Sequence, residues 1–135
     1  MGSVIAMKYL LDTHIWLWSL LEPEKLNQPM RKVLENPANE FFISPITVWE
    51  TLILSEKNRI NLKPSAQEWI VKAIEQSQVK EIQLSHAIAM KSRMLDVLHQ
   101  DPADRFIAAT AWEYDLILMT VDEKLSQSKQ ITIFN

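Results

Sequence analysis

Four acidic residues stand at the ends of apolar stretches of this chain, where carboxylates could act together. Asp12 directly follows "MKYLL", and Asp122 follows "LILMTV". Glu50 lies a few residues beyond "FFIS", and Asp104 opens the segment that leads to "LILM". Taken singly, each has an ordinary explanation: Asp12 can cap a helix starting at 13, Asp101 with Asp104 can favour a helix N-terminus, and Asp122 can begin a turn. Glu50 is harder to explain this way. At about 100° per residue it falls inside the apolar arc of Ile46, Trp49, Ile53 and Leu54. A carboxylate facing a core is costly unless it meets a partner, and a salt bridge or a shared site would each supply one.

Together the acids suggest a specific chemistry. Two carboxylates about 4 Å apart repel by about 4 kcal/mol at an effective dielectric of about 20. A divalent cation would remove that penalty, and an all-oxygen set suits Mg²⁺ or Mn²⁺ better than Zn²⁺. Such a site can activate water for phosphodiester hydrolysis without a side-chain nucleophile. Thr13 and Thr120, each close in sequence to one of the acids, are placed to orient carboxylates or simply to occupy a helix start and a strand end. An aspartyl-nucleophile phosphatase would usually carry D-x-D after its first strand, whereas this chain reads Asp12-Thr13-His14.

The elements that must position these groups alternate. Met7 to Leu11, "FFIS" at 41–44 and "LILM" at 116–119 read as strands, and "VKEIQL" and "ITIF" as weaker ones. Helical patterns cover about 13–21, 28–35, 45–57, 65–77, 85–98 and 102–114. Ser44-Pro45 and Asp101-Pro102 each match an N-cap followed by proline, and Ser65 with Glu68 forms a capping box. Strands alternating with helices predict an α/β fold: one domain with a central parallel β-sheet flanked by helices on both faces. In such sheets ligands bind beyond the carboxyl ends of the strands, which is where the acids fall.

Composition narrows the function classes further. The 135 residues fit a single domain, 47% of them apolar and 23% charged, as in an ordinary globular protein. Residues 1–7 read as an N-terminal extension or tag remnant plus the start of the first strand, and 8–135 as the domain. The single glycine is Gly2, so no glycine-rich phosphate loop is possible. Cysteine is absent, which removes disulfides and thiolate metal sites and is compatible with the cytoplasm. A net charge of −3 argues against strong non-specific nucleic-acid binding, so any contact must be local. Lys and Arg over 57–63 and at 91 and 93 form either a solvated face or a phosphate track, and His14, His86 and His99 show no metal-ligand spacing. No secretory signal or transmembrane stretch is evident.

The segments "LLDTHIWLW", "ISPITVWE", "LSHA", "LHQDPADRFIAATA" and "LILMTVDEKL" resemble, in order, the motifs of PIN-domain proteins, specifically the VapC ribonuclease toxins of toxin–antitoxin pairs. The resemblance runs from about residue 8 to 134. It implies a Mg²⁺- or Mn²⁺-dependent endoribonuclease with Asp12, Glu50, Asp104 and Asp122 as catalytic and metal-binding acids. Asp101 belongs to a "DPxDR" form and reads as a cap or an outer ligand, while Arg105 is a candidate for a substrate phosphate or a structural ion pair. The implied partners are RNA, a cognate VapB-type antitoxin and a second copy of the chain, with no membrane, and with DNA met only through the antitoxin. "WETLILSEKNRI" departs from the family pattern, with Leu54 at a usual Lys and Asn58 at a usual Gly, though Asn can still adopt the left-handed cap. The helix "THIWLWSLL" is apolar nearly all round, so neighbouring helices or a partner must cover it. A catalytically silent PIN-like module that binds protein or RNA is the rival reading.

Overall fold

The computed structural model describes residues 6–97 and 100–135, so His99 and most of the expected N-terminal extension lie outside the described residues. Five strands form one all-parallel sheet: β1 (Lys8–Leu11), β2 (Glu40–Ile43), β3 (Lys80–Glu81), β4 (Ile117–Met119) and β5 (Ile133–Phe134). Their spatial order is β3-β2-β1-β4-β5, an α/β arrangement. The chain therefore winds outward from β1 through β2 to β3, then returns to β4 on the other side. The topological switch point lies between the carboxyl ends of β1 and β4, where open parallel sheets place their ligands.

Alternation along the strands divides the core into two layers. Leu10 and Leu118 face one cluster with Ile88, Ile107, Ala108 and Leu125. Tyr9, Leu11 and Met119 face the other, with Ile15, Trp16, Met30 and Ala73. Side chains of successive strand residues point to opposite faces, and helices cover both, so the strands read as unbroken apolar runs. Register is reinforced at one edge, where Glu40 pairs with Lys8 at 3.8 Å and Lys80 at 2.6 Å across three adjacent strands. The two outermost strands are only two residues long, which limits edge-to-edge association.

Helices α1 (Thr13–Leu21), α2 (Gln28–Glu35), α3 (Pro45–Glu56), α4 (Ala66–Ser77) and α6 (Pro102–Tyr114) lie where the periodicity predicts them. α5 (His86–Ser92) ends six residues short of the expected 98. The cause is tertiary: the Ser92 carbonyl accepts from Arg105 Nε at 2.7 Å, and the Asp96 N–H donates to Gln130 Oε1 at 2.8 Å. Both groups would otherwise serve a continuing helix. A short helix α7 (Glu123–Ser126) follows Asp122, where the sequence suggested only a turn. Neighbours cover most of α1, with Ile15, Trp16 and Leu17 buried and Leu21 left exposed. Among the described residues, no helix is long and apolar enough to cross a membrane.

With no glycine in the described chain, left-handed positions fall to other residues: Asn58, Gln78 and Asp115 have φ of 57°, 56° and 53°. Asn58 closes α3 in the expected cap. Its N–H bonds to the Ser55 carbonyl at 3.0 Å and the Arg59 N–H to the Leu54 carbonyl at 2.8 Å, the pairing of a Schellman motif. Gln78 ends α4 with an exposed side chain. A non-glycine residue in this region costs roughly 1–2 kcal/mol, and glycine's extra unfolded-state freedom costs roughly 0.5–1. Gln78→Gly should therefore stabilise the fold by about 0.5–1 kcal/mol, measured as a higher urea midpoint with an unchanged slope.

Candidate active site

Asp12 ends β1 and caps α1, and its carboxylate sits at the switch point, 7% exposed. Its backbone N–H donates to the Met119 carbonyl at 3.0 Å, which ties it to the end of β4. One carboxylate oxygen accepts the Thr13 N–H at 2.8 Å and the other the Thr120 hydroxyl at 2.7 Å. Thr120 Oγ1 in turn accepts the Asp122 N–H at 3.0 Å. One hydroxyl thus links two of the predicted acids.

Thr13 performs the same service for Glu50. Its hydroxyl donates to Glu50 Oε1 at 2.5 Å and lies 3.1 Å from the Thr47 hydroxyl. Because the one Thr13 proton is directed at Glu50, Thr47 is the donor in the second contact. Thr47 was not singled out from sequence, although it lies one helical turn before Glu50 on α3 and shares its face, a spacing that could have flagged it. The apolar arc predicted for α3 is also corrected. The fully buried side chains are Thr47 and Thr51, while Trp49 is 52% exposed. Thr51 satisfies its hydroxyl on the Thr47 carbonyl at 2.8 Å, so small polar residues let α3 approach without an unmet hydrogen bond.

The other predicted acids stand at helix starts. Asp101 caps α6, accepting from the Ala103 and Asp104 N–H groups at 2.9 and 3.3 Å, and its charge reaches Glu50. Asp104 is half-buried in the first turn of α6. Asp122 caps α7, accepting from Lys124 and Leu125 N–H at 2.8 and 3.1 Å, and its charge reaches Asp12. Arg105, considered for a substrate phosphate, is 4% exposed and turned inward. Its guanidinium donates to the carbonyls of Ser92 and Val97 at 2.7 and 3.2 Å, which fastens the segment after α5 to α6.

Burial raises the Asp12 carboxyl above its ordinary range, against the opposing effect of the Thr120 and Thr13 hydrogen bonds. Burial likewise raises Glu50, helped by the charges of Asp12 and Asp101 and opposed by the Thr13 hydroxyl. Among the described residues no Lys or Arg forms an ion pair with either. His14 is the one cationic group whose charge favours both carboxylates, and it does not offset their burial. Desolvated carboxylates without a Lys or Arg partner are what a hard divalent cation relieves, and the predicted ligands are all oxygen donors. Yet among the described residues no three Asp, Glu or His side chains converge as a ligand group. Asp12, Glu50 and Asp122 are linked through Thr13 and Thr120 instead of meeting at one point.

Residues 9–129 match the PIN domain family. Over 117 residues, 86% of this chain and 88% of the relative, the sequence is 32% identical to Ribonuclease VapC22 of Mycobacterium tuberculosis. The fold is similar to that in the crystal structure of VapBC2 from Rickettsia felis bound to a DNA fragment from their promoter, with a TM-score of 0.73 at 18% identity, covering 96% of this chain and 98% of the other. DNA-bound VapBC from Salmonella typhimurium gives a TM-score of 0.66 at 19% identity, covering 95% and 97%.

The raised carboxyls set a sign for stability. Between the ordinary value and the raised folded one, the folded state holds more protons than the unfolded state, so stability falls as pH rises. For Asp12 that window opens at 3.8 and extends upward. Asp12→Asn, which keeps a capping oxygen for the Thr13 N–H, should therefore melt higher than the wild type at about pH 7 in chelator. Melting curves from about pH 4 to 8 should show the gap widening with pH. Thr120→Val removes a donor to Asp12 and an acceptor for the Asp122 N–H, and should destabilise by about 1–3 kcal/mol in chemical denaturation.

Proposed function

The chain belongs to the PIN-domain family, in its VapC group, and from that premise we propose that it is a metal-dependent endoribonuclease, the toxin of a toxin–antitoxin pair, that hydrolyses RNA phosphodiester bonds. The observation that carries this reading is the identity to a ribonuclease over most of both chains, with Asp12, Glu50, Asp104 and Asp122 all falling inside the matched family region. Asp12, Glu50, Asp104 and Asp122 would hold Mg²⁺ or Mn²⁺. Bound there, the cation would supply a Lewis acid that lowers the pKa of water and neutralises charge on the phosphoryl oxygens.

The chain's own residues prepare the site. Thr13 N–H and the Thr120 hydroxyl hold the Asp12 carboxylate in one orientation, each using a single lone pair of its oxygen. The Thr13 hydroxyl fixes Glu50 toward the same end of the sheet, and Thr47 fixes Thr13. A carboxylate held in this way loses little freedom on engaging a cation or a water proton. Burial keeps bulk water from screening these charges.

The partners under this reading are RNA in the cytoplasm, a VapB-type antitoxin and a second copy of the chain, with DNA met only through the antitoxin. The support for an antitoxin is that the similar structures are of VapBC assemblies. A catalytically silent PIN-like module is the second reading, favoured by the acids being joined through hydroxyls without converging.

Purified protein should cleave RNA with Mg²⁺ or Mn²⁺ and not with chelator, and Asp12→Asn should lower the rate at least about a hundredfold. Saturating cation at about a hundred times its Kd should raise stability by about 2.7 kcal/mol, read by calorimetry. A melting temperature unmoved by either metal, with no cleavage, would select the silent module.

A further inference from the structure

The threonine hydroxyls that join Asp12, Glu50 and Asp122 belong to α1, α3 and the chain leaving β4. Asp104 stands on another element, in the first turn of α6, so its place relative to the other acids follows from how α6 is held. A second polar network holds that turn. It starts at Arg105, beside Asp104, whose buried guanidinium donates from Nε to the Ser92 carbonyl at 2.7 Å and from Nη1 to the Val97 carbonyl at 3.2 Å. The planar fork offers donors in a fixed geometry, so the segment 92–97 is pinned to α6 at both ends.

The middle of this segment reaches the other way. Leu95 and Val97 are buried in the core layer that holds Ile107 of α6, Leu125 of α7 and Ile131, while Asp96 between them is exposed. The Asp96 carboxylate accepts the Ser128 hydroxyl at 2.7 Å and the Lys129 N–H at 3.1 Å, and the Asp96 N–H donates to Gln130 Oε1 at 2.8 Å. These partners follow α7 directly. The Ser128 N–H bonds to the Leu125 carbonyl at 3.1 Å, and the Ser126 hydroxyl returns to the Asp122 carbonyl at 2.9 Å. Asp96 is therefore the joint between two helices that each begin with a predicted acid, α6 with Asp104 and α7 with Asp122.

We propose that Asp96 is a positioning residue for the active site: tied to α6 through Arg105 and to α7 through Ser128, Lys129 and Gln130, it sets where Asp104 stands relative to Asp122. The proposal rests on the ribonuclease reading and adds to it a residue outside the four acids. Oxygen ligands serve one cation only when they reach it together, and groups that orient ligands through hydrogen bonds typically cost about 10- to 100-fold in metal affinity or activity when removed.

The test measures Mn²⁺ binding by calorimetry without RNA, steady-state RNA cleavage with Mn²⁺, and melting in chelator, for full-length wild type, Asp96→Ala, Asp96→Asn and Glu40→Ala. The last breaks the surface tie to Lys8 and Lys80 at the amino end of the sheet. Asp96→Ala should weaken Mn²⁺ binding about tenfold and lower kcat about tenfold with KM for RNA unchanged. Asp96→Asn, which keeps one acceptor oxygen, should recover part of both, and Glu40→Ala should keep wild-type cation affinity and kcat. If Asp96→Ala fails to fold, Asp96→Asn is read against the wild type in the same way. An Asp96 variant that melts lower but binds Mn²⁺ and turns over like the wild type would make the joint a tie of the fold alone and overturn the proposal, leaving the ribonuclease reading standing. An equal loss of cation affinity in Glu40→Ala would trace the effect to stability and also overturn it. Mn²⁺ binding that weakens in Asp96→Ala, in a protein that cleaves no RNA, would keep the joint and overturn the ribonuclease reading, and a wild type that binds no Mn²⁺ and cleaves no RNA would overturn both.

Discussion

Asp12 joins β1, β4 and α1 at the carboxyl end of the sheet, where the ladder between the two strands ends. Its backbone N–H reaches β4, one side-chain oxygen starts α1, and the other takes the Thr120 hydroxyl from the chain leaving β4. These bonds form because the sheet order brings the carboxyl ends of β1 and β4 side by side, although Asp12 and Thr120 are 108 residues apart. A charge removed from water must be met by donors, and here the donors are neutral hydroxyl and amide groups. They fix geometry without cancelling charge. A Lys or Arg in the same place would neutralise the acid and leave it nothing to offer a cation.

The threonines extend this logic. Thr13, Thr47, Thr51 and Thr120 are all buried, and no buried side-chain nitrogen or oxygen among the described residues lacks a partner. The Thr13 and Thr120 hydroxyls each both donate and accept, so a short chain runs from Thr47 on α3 through Thr13 on α1 to Glu50, and another from Asp122 through Thr120 to Asp12. Larger apolar residues at these places would fill space without orienting anything. In a PIN-domain chain of the VapC group, this network accounts for Asp12, Glu50 and Asp122 being held at the carboxyl end of the sheet.

Tryptophan is divided between two uses that composition alone does not distinguish. Trp16 is fully buried against Trp69, with ring centroids 6.0 Å apart, and supports α1 on the sheet. Trp49 faces solvent beside Glu50. The difference follows from which side of each helix meets the sheet: α1 presents a wide apolar surface to β1 and α4, whereas α3 turns threonines inward and leaves Trp49 outside.

The parallel α/β sheet, the helices at 13–21, 28–35 and 102–114, the caps at Ser44 and Asp101 and the placing of acids at strand ends were legible in the sequence, because alternation, periodicity and capping are local properties of neighbouring residues. Tertiary structure alone decided the rest. α5 stops at Ser92 because Arg105 and Gln130 take the hydrogen-bonding groups that a longer helix would need, and both lie far along the chain. Arg105 turned inward for the same reason. Thr47 joined the acid network, and Trp49 was left in the open, through the close approach of α3 to α1. Such outcomes depend on which groups compete for one partner once the layers have packed, and no pattern within a single segment records that competition.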